Sequence, residues 1–177
     1  MIGRHAFILL AILSLATGPA RGSPLHEVSL VPGSSTVAIR TYGLGLLPFD
    51  GRFARFQGVL RYDGDDHARC SVALRIDAAS LAMSSAAMTA TVLGTGLLDA
   101  AHYPTLAYDG ACGPDGIAGT LMMHGVTRPL GLKLDWDGGA LTAVGRLRRA
   151  EWGMTGLPLV GGSTVRIKVT VALAGRR

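Results

Sequence analysis

Apolar and polar residues alternate along most of this chain. The clearest example lies near the C-terminus, where every second residue from Val165 to Leu173 is apolar and the residues between include Arg166, Lys168 and Thr170. A period of two places successive side chains on opposite faces of an extended chain and is typical of a half-buried β-strand. The pattern therefore predicts a strand here, with one face directed toward an apolar interior.

The same alternation recurs in nine segments of the chain, and these predict a barrel or sandwich of eight or so strands. The segments are residues 26–31, 37–42, 53–63, 72–77, 103–112, 117–123, 130–134, 141–149 and 165–173. Residues 43–51, which contain Gly and Pro48, are expected to form a loop. The uncharged stretch from Ala78 to Leu98 breaks the pattern and predicts a short helix before Asp99. Short strands at even spacing indicate an all-β fold, either an up-and-down barrel or a sandwich.

Two of these strands form a predicted hairpin between Ile117 and Leu134. The connector is expected to run from His124 to Pro129, because it contains Gly and Pro. Since proline has no amide hydrogen, Pro129 is expected at the first position of the second strand.

The N-terminal residues have the features of a signal peptide and are not expected to be part of the fold. Arg4 and His5 precede an apolar run from Ala6 to Ala16, and small residues follow at Ala20 and Gly22. This run is shorter than the roughly 20 apolar residues that span a bilayer. Residues 1–22 are therefore predicted to be removed on export, leaving one domain of residues 23–177.

The charge balance does not indicate nucleic-acid binding. The chain has 17 Lys and Arg against 12 Asp and Glu, and the basic residues are dispersed rather than gathered in a block. No second segment is long and apolar enough to span a membrane.

A cavity is expected inside the predicted barrel. An eight-stranded barrel can enclose one elongated ligand, whereas a solid core is filled to crystal-like density. Several inward positions hold small residues, namely Thr41, Gly58, Gly110 and Gly119, which favours unfilled space. The candidate lining residues are Ile39, Phe56, Leu60, Leu74, Tyr108, Leu121, Met123, Leu132, Trp136 and Val169. The same residues would also suit a closed core, and the alternation of apolar residues does not distinguish a closed core from a cavity.

The two cysteines, Cys70 and Cys112, have the apolar parity of their strands. In an antiparallel meander the start of the first strand lies beside the end of the second, so a cross-strand disulfide is expected in an exported chain. Two buried free thiols are the alternative.

No catalytic, metal or cofactor site can be named. His26, His67, His102 and His124 are scattered, and Asp63, Asp65 and Asp66 lack the spacing of a calcium loop. A solvated turn is expected at these aspartates. Arg148, Arg149 and Glu151 are expected to form a surface salt-bridge group, with a basic rim for a pyrophosphate or lipid headgroup as the alternative.

Several motifs in order resemble the YceI-like family of exported bacterial proteins. They are Gly51-Arg52-Phe53 with Phe56 and Gly58, Asp77 to Leu81, Leu98-Asp99 with Tyr103-Pro104, Gly119 to Leu132, and Arg149 with Trp152-Gly153-Met154. The resemblance implies an extended lipocalin-like antiparallel β-barrel with a helix near one end. It also implies a binding protein for polyisoprenoid chains, including isoprenoid quinones or their precursors, without an established catalytic centre.

The chain departs from the family pattern in two places. Val31 to Ser35 replaces the family's Asp-Pro-x-His-Ser, and Ala86 to Gly96 lacks the usual charges and His. An uncharged segment here could form an apolar lid, or a patch that contacts a membrane or partner.

The sequence therefore predicts a periplasmic, monomeric or homodimeric carrier of a polyisoprenoid or similar lipid, with transient membrane contact and no nucleic-acid partner. It is not predicted to be an enzyme. The alternatives are an enzyme acting on a lipid or quinone, and a ligand-free stress or interaction protein.

Overall fold

The computed structural model describes residues 24–44, 46–157 and 162–173. The predicted signal peptide, residues 1–22, lies outside these ranges. Four strands precede Cys70: β1 Leu25–Leu30, β2 Ser35–Gly43, β3 Leu47–Phe53 and β4 Phe56–Asp63. Seven further strands follow: β5 Cys70–Asp77, β6 Leu81–Met83, β7 Thr105–Gly113, β8 Gly116–Met123, β9 Val126–Asp137, β10 Ala140–Arg148 and β11 Thr164–Ala172.

All of these strands belong to one antiparallel sheet that curls around an apolar interior. Its order is β1-β4-β5-β7-β8-β9-β10-β11-β2-β3-β6. The core consists of the inward side chains of this sheet, supplemented by the segment from Leu98 to Ala100 and by Trp152 and Met154. The all-β, lipocalin-like class is confirmed. The predicted number of strands was too low, because the described residues form eleven.

The additional strands are β3 and β6. β3 occupies most of the predicted loop and contains Pro48, Asp50 and Gly51, which are uncommon within strands. It forms because it is paired on both sides, with β2 and with β6. Arg40 Nε and Asp50 Oδ1 also lie 2.6 Å apart across the β2–β3 pair. Partners distant in sequence therefore override the local preference.

The described residues form one α-helix, α1 (Ala86–Leu93), which packs against β6. Ser85 caps it, since the Ser85 hydroxyl accepts a hydrogen bond from the Met88 amide at 3.2 Å. This confirms the helix predicted before Asp99. Two short 3-10 helices, Ala78–Ser80 and Arg149–Trp152, lie at the ends of β5 and β10.

The predicted hairpin is present as β8 and β9, but its turn is shorter than expected. The turn consists of His124 and Gly125, with φ of 52° and 71°, the left-handed pair typical of a two-residue hairpin. β9 already begins at Val126, so Pro129 lies inside the strand, opposite Thr120. The prediction for Pro129 was wrong. β10 is paired with β9 from Lys133 to Asp137, so Pro129 lies outside that paired length, where a missing amide hydrogen is tolerated.

Cys70 and Cys112 form a disulfide between the start of β5 and the end of β7, with their Cα atoms 4.8 Å apart. The neighbouring pair Ser71 and Ala111 is in register, so the cysteines directly face each other. The cross-strand disulfide is confirmed, and the alternative of two free thiols is wrong.

Candidate functional site: an apolar cavity

The curled sheet encloses a cavity of about 580 Å³. Ligand sites in proteins typically measure roughly 300–1,000 Å³, so this volume suits a small molecule or an acyl-like chain. All eleven strands of the described residues contribute to its lining, together with α1 and the segments that follow α1 and β10. Most lining side chains are aliphatic, aromatic or methionine.

The interior is not filled by its own side chains. Ile39, Val165, Ile167 and Val169 all line the cavity and are still partly accessible. Their outward neighbours Arg40, Arg166 and Lys168 are exposed on the other face of the sheet. The accessible surface of the four inward residues therefore belongs to the cavity, which a close-packed core would have eliminated.

Eight of the predicted lining residues lie on the cavity wall. They are Ile39, Leu60, Leu74, Tyr108, Leu121, Met123, Leu132 and Val169. Contact between these side chains and a ligand stays a prediction.

Phe56 and Trp136 are not among the residues that line the cavity. Phe56 is buried in the surrounding core. Trp136 stacks on His67, with ring centroids 4.1 Å apart, and lies 5.3 Å from Tyr62. Trp136 is on the inward face of β9, but it lies next to the β9–β10 turn. Its ring therefore packs in an aromatic cluster with His67 and Tyr62 rather than against the cavity.

The argument from small inward residues was largely wrong. Thr41 does line the cavity, but Gly58, Gly110 and Gly119 are not among its lining residues. Their space is taken by neighbours: a methyl group at Gly119 would lie 2.5 Å from the Tyr108 hydroxyl oxygen, and one at Gly110 would lie 2.6 Å from Ile117 Cγ2. Glycine here admits a bulky neighbour rather than opening a void.

The mouth of the cavity is marked by its exposed lining residues, Ser85, Ala87 and Thr91 around α1, and Leu157. Strand parity could not have found them, because they lie in a helix and a loop. The uncharged segment beginning at Ala86 thus covers part of the opening. Its serine and threonine hydroxyls, with that of Thr41, place polar groups on an otherwise apolar lining.

Arg149 holds the loop beside the mouth. Its side chain is buried and donates to the main-chain oxygens of Gly162 at 2.8 Å and Leu157 at 2.9 Å. It also donates to the oxygens of Met154 and Gly156. Arg149 was expected to belong to a surface salt-bridge group. That prediction is wrong, because its buried guanidinium donates hydrogen bonds to main-chain carbonyl oxygens instead. Arg148 and Glu151 remain exposed.

Tyr108 and Arg149 are the titratable side chains of the described lining. The Tyr108 hydroxyl donates to the main-chain oxygen of Leu130 at 3.0 Å. Burial raises the pKa of Tyr108 to about 12, since an apolar environment disfavours the phenolate. The phenol is therefore neutral, and its hydroxyl hydrogen is already donated to a main-chain oxygen. A ligand in the cavity would meet an uncharged tyrosine.

Other predicted polar sites take structural positions. Asp63 is buried and accepts main-chain hydrogen bonds from Asp65 and Asp66, so it is not a solvated turn residue. His102 is exposed and lies 2.9 Å from Asp99. Within the described ranges, no group of three or more His, Cys, Asp and Glu is placed to hold a metal ion. No helix in that part of the chain is long and apolar enough to cross a membrane.

Known proteins are similar to this chain in sequence or in fold. UPF0312 proteins of Vibrio cholerae are 27% identical over 131 residues, which cover 71% of this chain and 69% of theirs. The crystal structure of BcnA from Burkholderia cenocepacia superposes with a TM-score of 0.65 at 21% identity, covering 79% of this chain and 96% of BcnA.

A second solved structure is a polyisoprenoid binding domain from Saccharophagus degradans implicated in plant cell wall breakdown. Its TM-score is 0.58 at 13% identity, with 83% of this chain and 99% of that domain covered. The model of the YceI-like domain matches residues 29–174, nearly the whole described region, and the chain therefore belongs to the YceI-like family.

Proposed function

We propose that this protein binds a polyisoprenoid, such as an isoprenoid quinone or its precursor, and carries it in the periplasm. The observation that supports this most directly is the apolar cavity of about 580 Å³, which the core leaves unfilled. The similar fold of a domain described as polyisoprenoid binding is consistent with it.

The affinity would come from burial of the tail. Removing apolar surface from water gains about 0.8 kcal/mol per CH₂-sized group, part of which offsets the entropy lost on binding. A chain of repeated isoprene units suits this lining, because its branched carbons contact aliphatic side chains such as Leu74, Ile167 and Val169 along the length of the cavity.

The tail would enter first, with the headgroup remaining at the mouth. The exposed hydroxyls of Ser85 and Thr91 lie there, whereas the deeper lining is apolar. A polar headgroup left near the opening avoids the cost of burying it without hydrogen-bond partners.

Binding rather than catalysis is favoured by the state of the titratable lining groups. Tyr108 and Arg149 both donate hydrogen bonds to main-chain carbonyls. Their polar groups therefore stabilise the fold, which favours a structural over a catalytic role. The predicted signal peptide and the disulfide between Cys70 and Cys112 support an exported, oxidising location.

Native mass spectrometry with lipid extraction tests the proposal. We expect wild-type protein to carry an isoprenoid, and Ile167→Trp, which places a bulky ring in the cavity, to lose it. Thr170→Trp is the matched control, because Thr170 lies on the same strand but faces outward and is not among the lining residues. An empty wild-type protein, or lipid retained equally by Ile167→Trp, would contradict the proposal. Turnover of a quinone would instead indicate an enzyme.

A further inference from the structure

Charge is divided unevenly between the two sides of the sheet. On the side formed by β1, β4, β5, β7 and β8, the arginines are matched by acids. Four ion pairs lie there, at 2.8 to 3.0 Å: Arg55 with Asp77, Arg61 with Glu27, Arg69 with Asp63, and Arg75 with Asp109.

The opposite side presents exposed cations. Its outer face, which we call the basic wall, carries Arg40, Arg52, Lys133, Arg146, Arg148, Arg166 and Lys168 on β2, β3, β9, β10 and β11. The exposed acids Asp135 and Asp137 of β9 lie at the opposite end of this face from Arg148, because Asp135 is paired with Thr142. The register places Arg146, Arg166 and Arg40 side by side across three strands. Within the described ranges, Arg40 is the one member of this wall in an ion pair, with Asp50. Like charges on adjacent strands repel, so this arrangement lacks a stabilising role within the fold.

Large apolar side chains are exposed where this wall ends. They form the apolar rim: Tyr42, Leu44, Leu46, Leu47 and Leu157. Leu46 is 83% and Leu44 67% exposed. Leu44 and Leu157 also have φ of 48° and 54°, a left-handed conformation that is costly for leucine. Neither burial nor local backbone preference accounts for leucine at these positions.

The apolar rim adjoins the cavity mouth on one side. Thr41 and Phe49 face each other across β2 and β3, and both line the cavity. Gly43 and Leu47 are the next pair on the same face, so the exposed Leu47 extends the lining past its end. Leu157 belongs to both the lining and the rim.

The apolar rim and the basic wall are continuous. Arg40 precedes Tyr42 by two residues on the same outward face of β2, a distance of about 7 Å along the strand. Arg166 lies beside Arg40. Because these separations are short, the cations and the apolar residues can contact one surface together.

We propose that the apolar rim and the adjoining cations dock the protein on an anionic phospholipid bilayer, with the cavity mouth against the membrane. Exposed leucines and a tyrosine enter the interfacial region while arginines contact the phosphates, the combination that gives reversible membrane binding. A second copy is disfavoured as the occupant, because a symmetric contact would bring two basic walls together. This surface is independent of what the cavity holds.

Flotation of the purified protein with vesicles of phosphatidylglycerol and phosphatidylethanolamine tests the proposal. All variants are compared as the chain from residue 23 onward, without the predicted signal peptide. We expect Leu44→Ser with Leu46→Ser to weaken vesicle binding about tenfold. The matched control is Leu25→Ser with Met122→Ser, which removes two exposed apolar residues elsewhere and should bind as wild type does.

The electrostatic part is tested separately. Arg148→Gln with Arg166→Gln should weaken binding about tenfold at low salt, and wild type should bind phosphatidylcholine vesicles far less. Arg52→Gln with Lys168→Gln changes the same number of charges further from the rim and should cost less than about threefold.

Several results would overturn the docking proposal. They are no binding by wild type, equal binding to phosphatidylcholine vesicles, or equal losses in the rim variant and its control. A rim-dependent dimer or acidic protein complex without vesicle binding would also overturn it. Lipid that still co-purifies in these cases would leave the proposed carrier function standing.

Discussion

His124 and Trp152 are linked through the main chain. His124 Nδ1 lies 3.0 Å from the Trp152 carbonyl oxygen and must donate to it, and Trp152 Nε1 in turn donates to the Leu121 oxygen at 3.1 Å. The β8–β9 hairpin is thereby tied to the 3-10 helix Arg149–Trp152. Since Arg149 holds the loop beside the cavity mouth, the hairpin supports the opening without lining it at its turn.

Replacing Trp152 should loosen this connection. Trp152→Phe keeps an aromatic ring but leaves the buried Leu121 carbonyl without its indole donor, at an expected cost of about 1–3 kcal/mol in the free energy of unfolding. Trp152→Ala should cost about 3–5 kcal/mol. Urea denaturation followed by circular dichroism measures both. Trp136→Phe is the control, because Trp136 is only partly buried, and an equal loss there would show that the Trp152 hydrogen bond contributes little.

The disulfide should contribute strongly to stability. It closes a loop with a sequence separation of 42, for which the chain-entropy relation gives about 4 kcal/mol. Thermal unfolding of a Cys70→Ser, Cys112→Ser protein should show a clearly lower Tm than wild type. A reductant should lower the Tm of wild type toward that of the variant and leave the variant unchanged. Identical melting with and without reductant would refute this contribution.

Asp63 should make the fold sensitive to acid. Hydrogen bonds from the Asp65 amide and then the Asp66 amide, with the nearby Arg69 guanidinium, lower the pKa of the Asp63 carboxyl below its ordinary value, although burial opposes the shift. The stabilisation is therefore complete above the ordinary aspartate pKa of about 3.9 and is lost as the pH falls through the folded-state pKa.

Asp63→Asn tests this pH dependence. Below neutral pH the variant's free energy of unfolding should fall less steeply than that of wild type, as measured by urea titrations across the acid range. Asp115→Asn, at an exposed turn position, should retain the wild-type slope. An unchanged slope in Asp63→Asn would assign the acid sensitivity to other carboxyls.

Gly119 and Tyr108 should be energetically coupled. A methyl group at Gly119 would lie 2.5 Å from the Tyr108 hydroxyl oxygen, so Gly119→Ala should destabilise by about 1–3 kcal/mol through overpacking. In a Tyr108→Ala background the same substitution should cost less, since the ring is gone and the contact of 2.6 Å with the Asp109 main-chain oxygen remains. A double-mutant cycle of unfolding free energies measures the coupling, and simple additivity would contradict the contact.

Much of the sheet could be predicted from the alternation of apolar residues. The predicted inward faces were correct where one face of the strand is buried and the other is exposed to solvent, as with Leu132 on β9 and with Leu121 and Met123 on β8. The disulfide followed from the same parity and the meander order. The inward and outward faces are local properties, because the period of two directly reports which residues leave water.

The tertiary structure alone decided the features that depend on distant partners. β3 is a strand because β2 and β6 flank it, and Pro129 fits inside β9 because it lies outside the length paired with β10. Gly119 accommodates a ring rather than a void because Tyr108 lies on the neighbouring strand. The alternation of residues could predict that this chain has an apolar interior. Whether that interior is filled or open depends on the curvature of the sheet and on how side chains from separate strands meet, which no local pattern encodes.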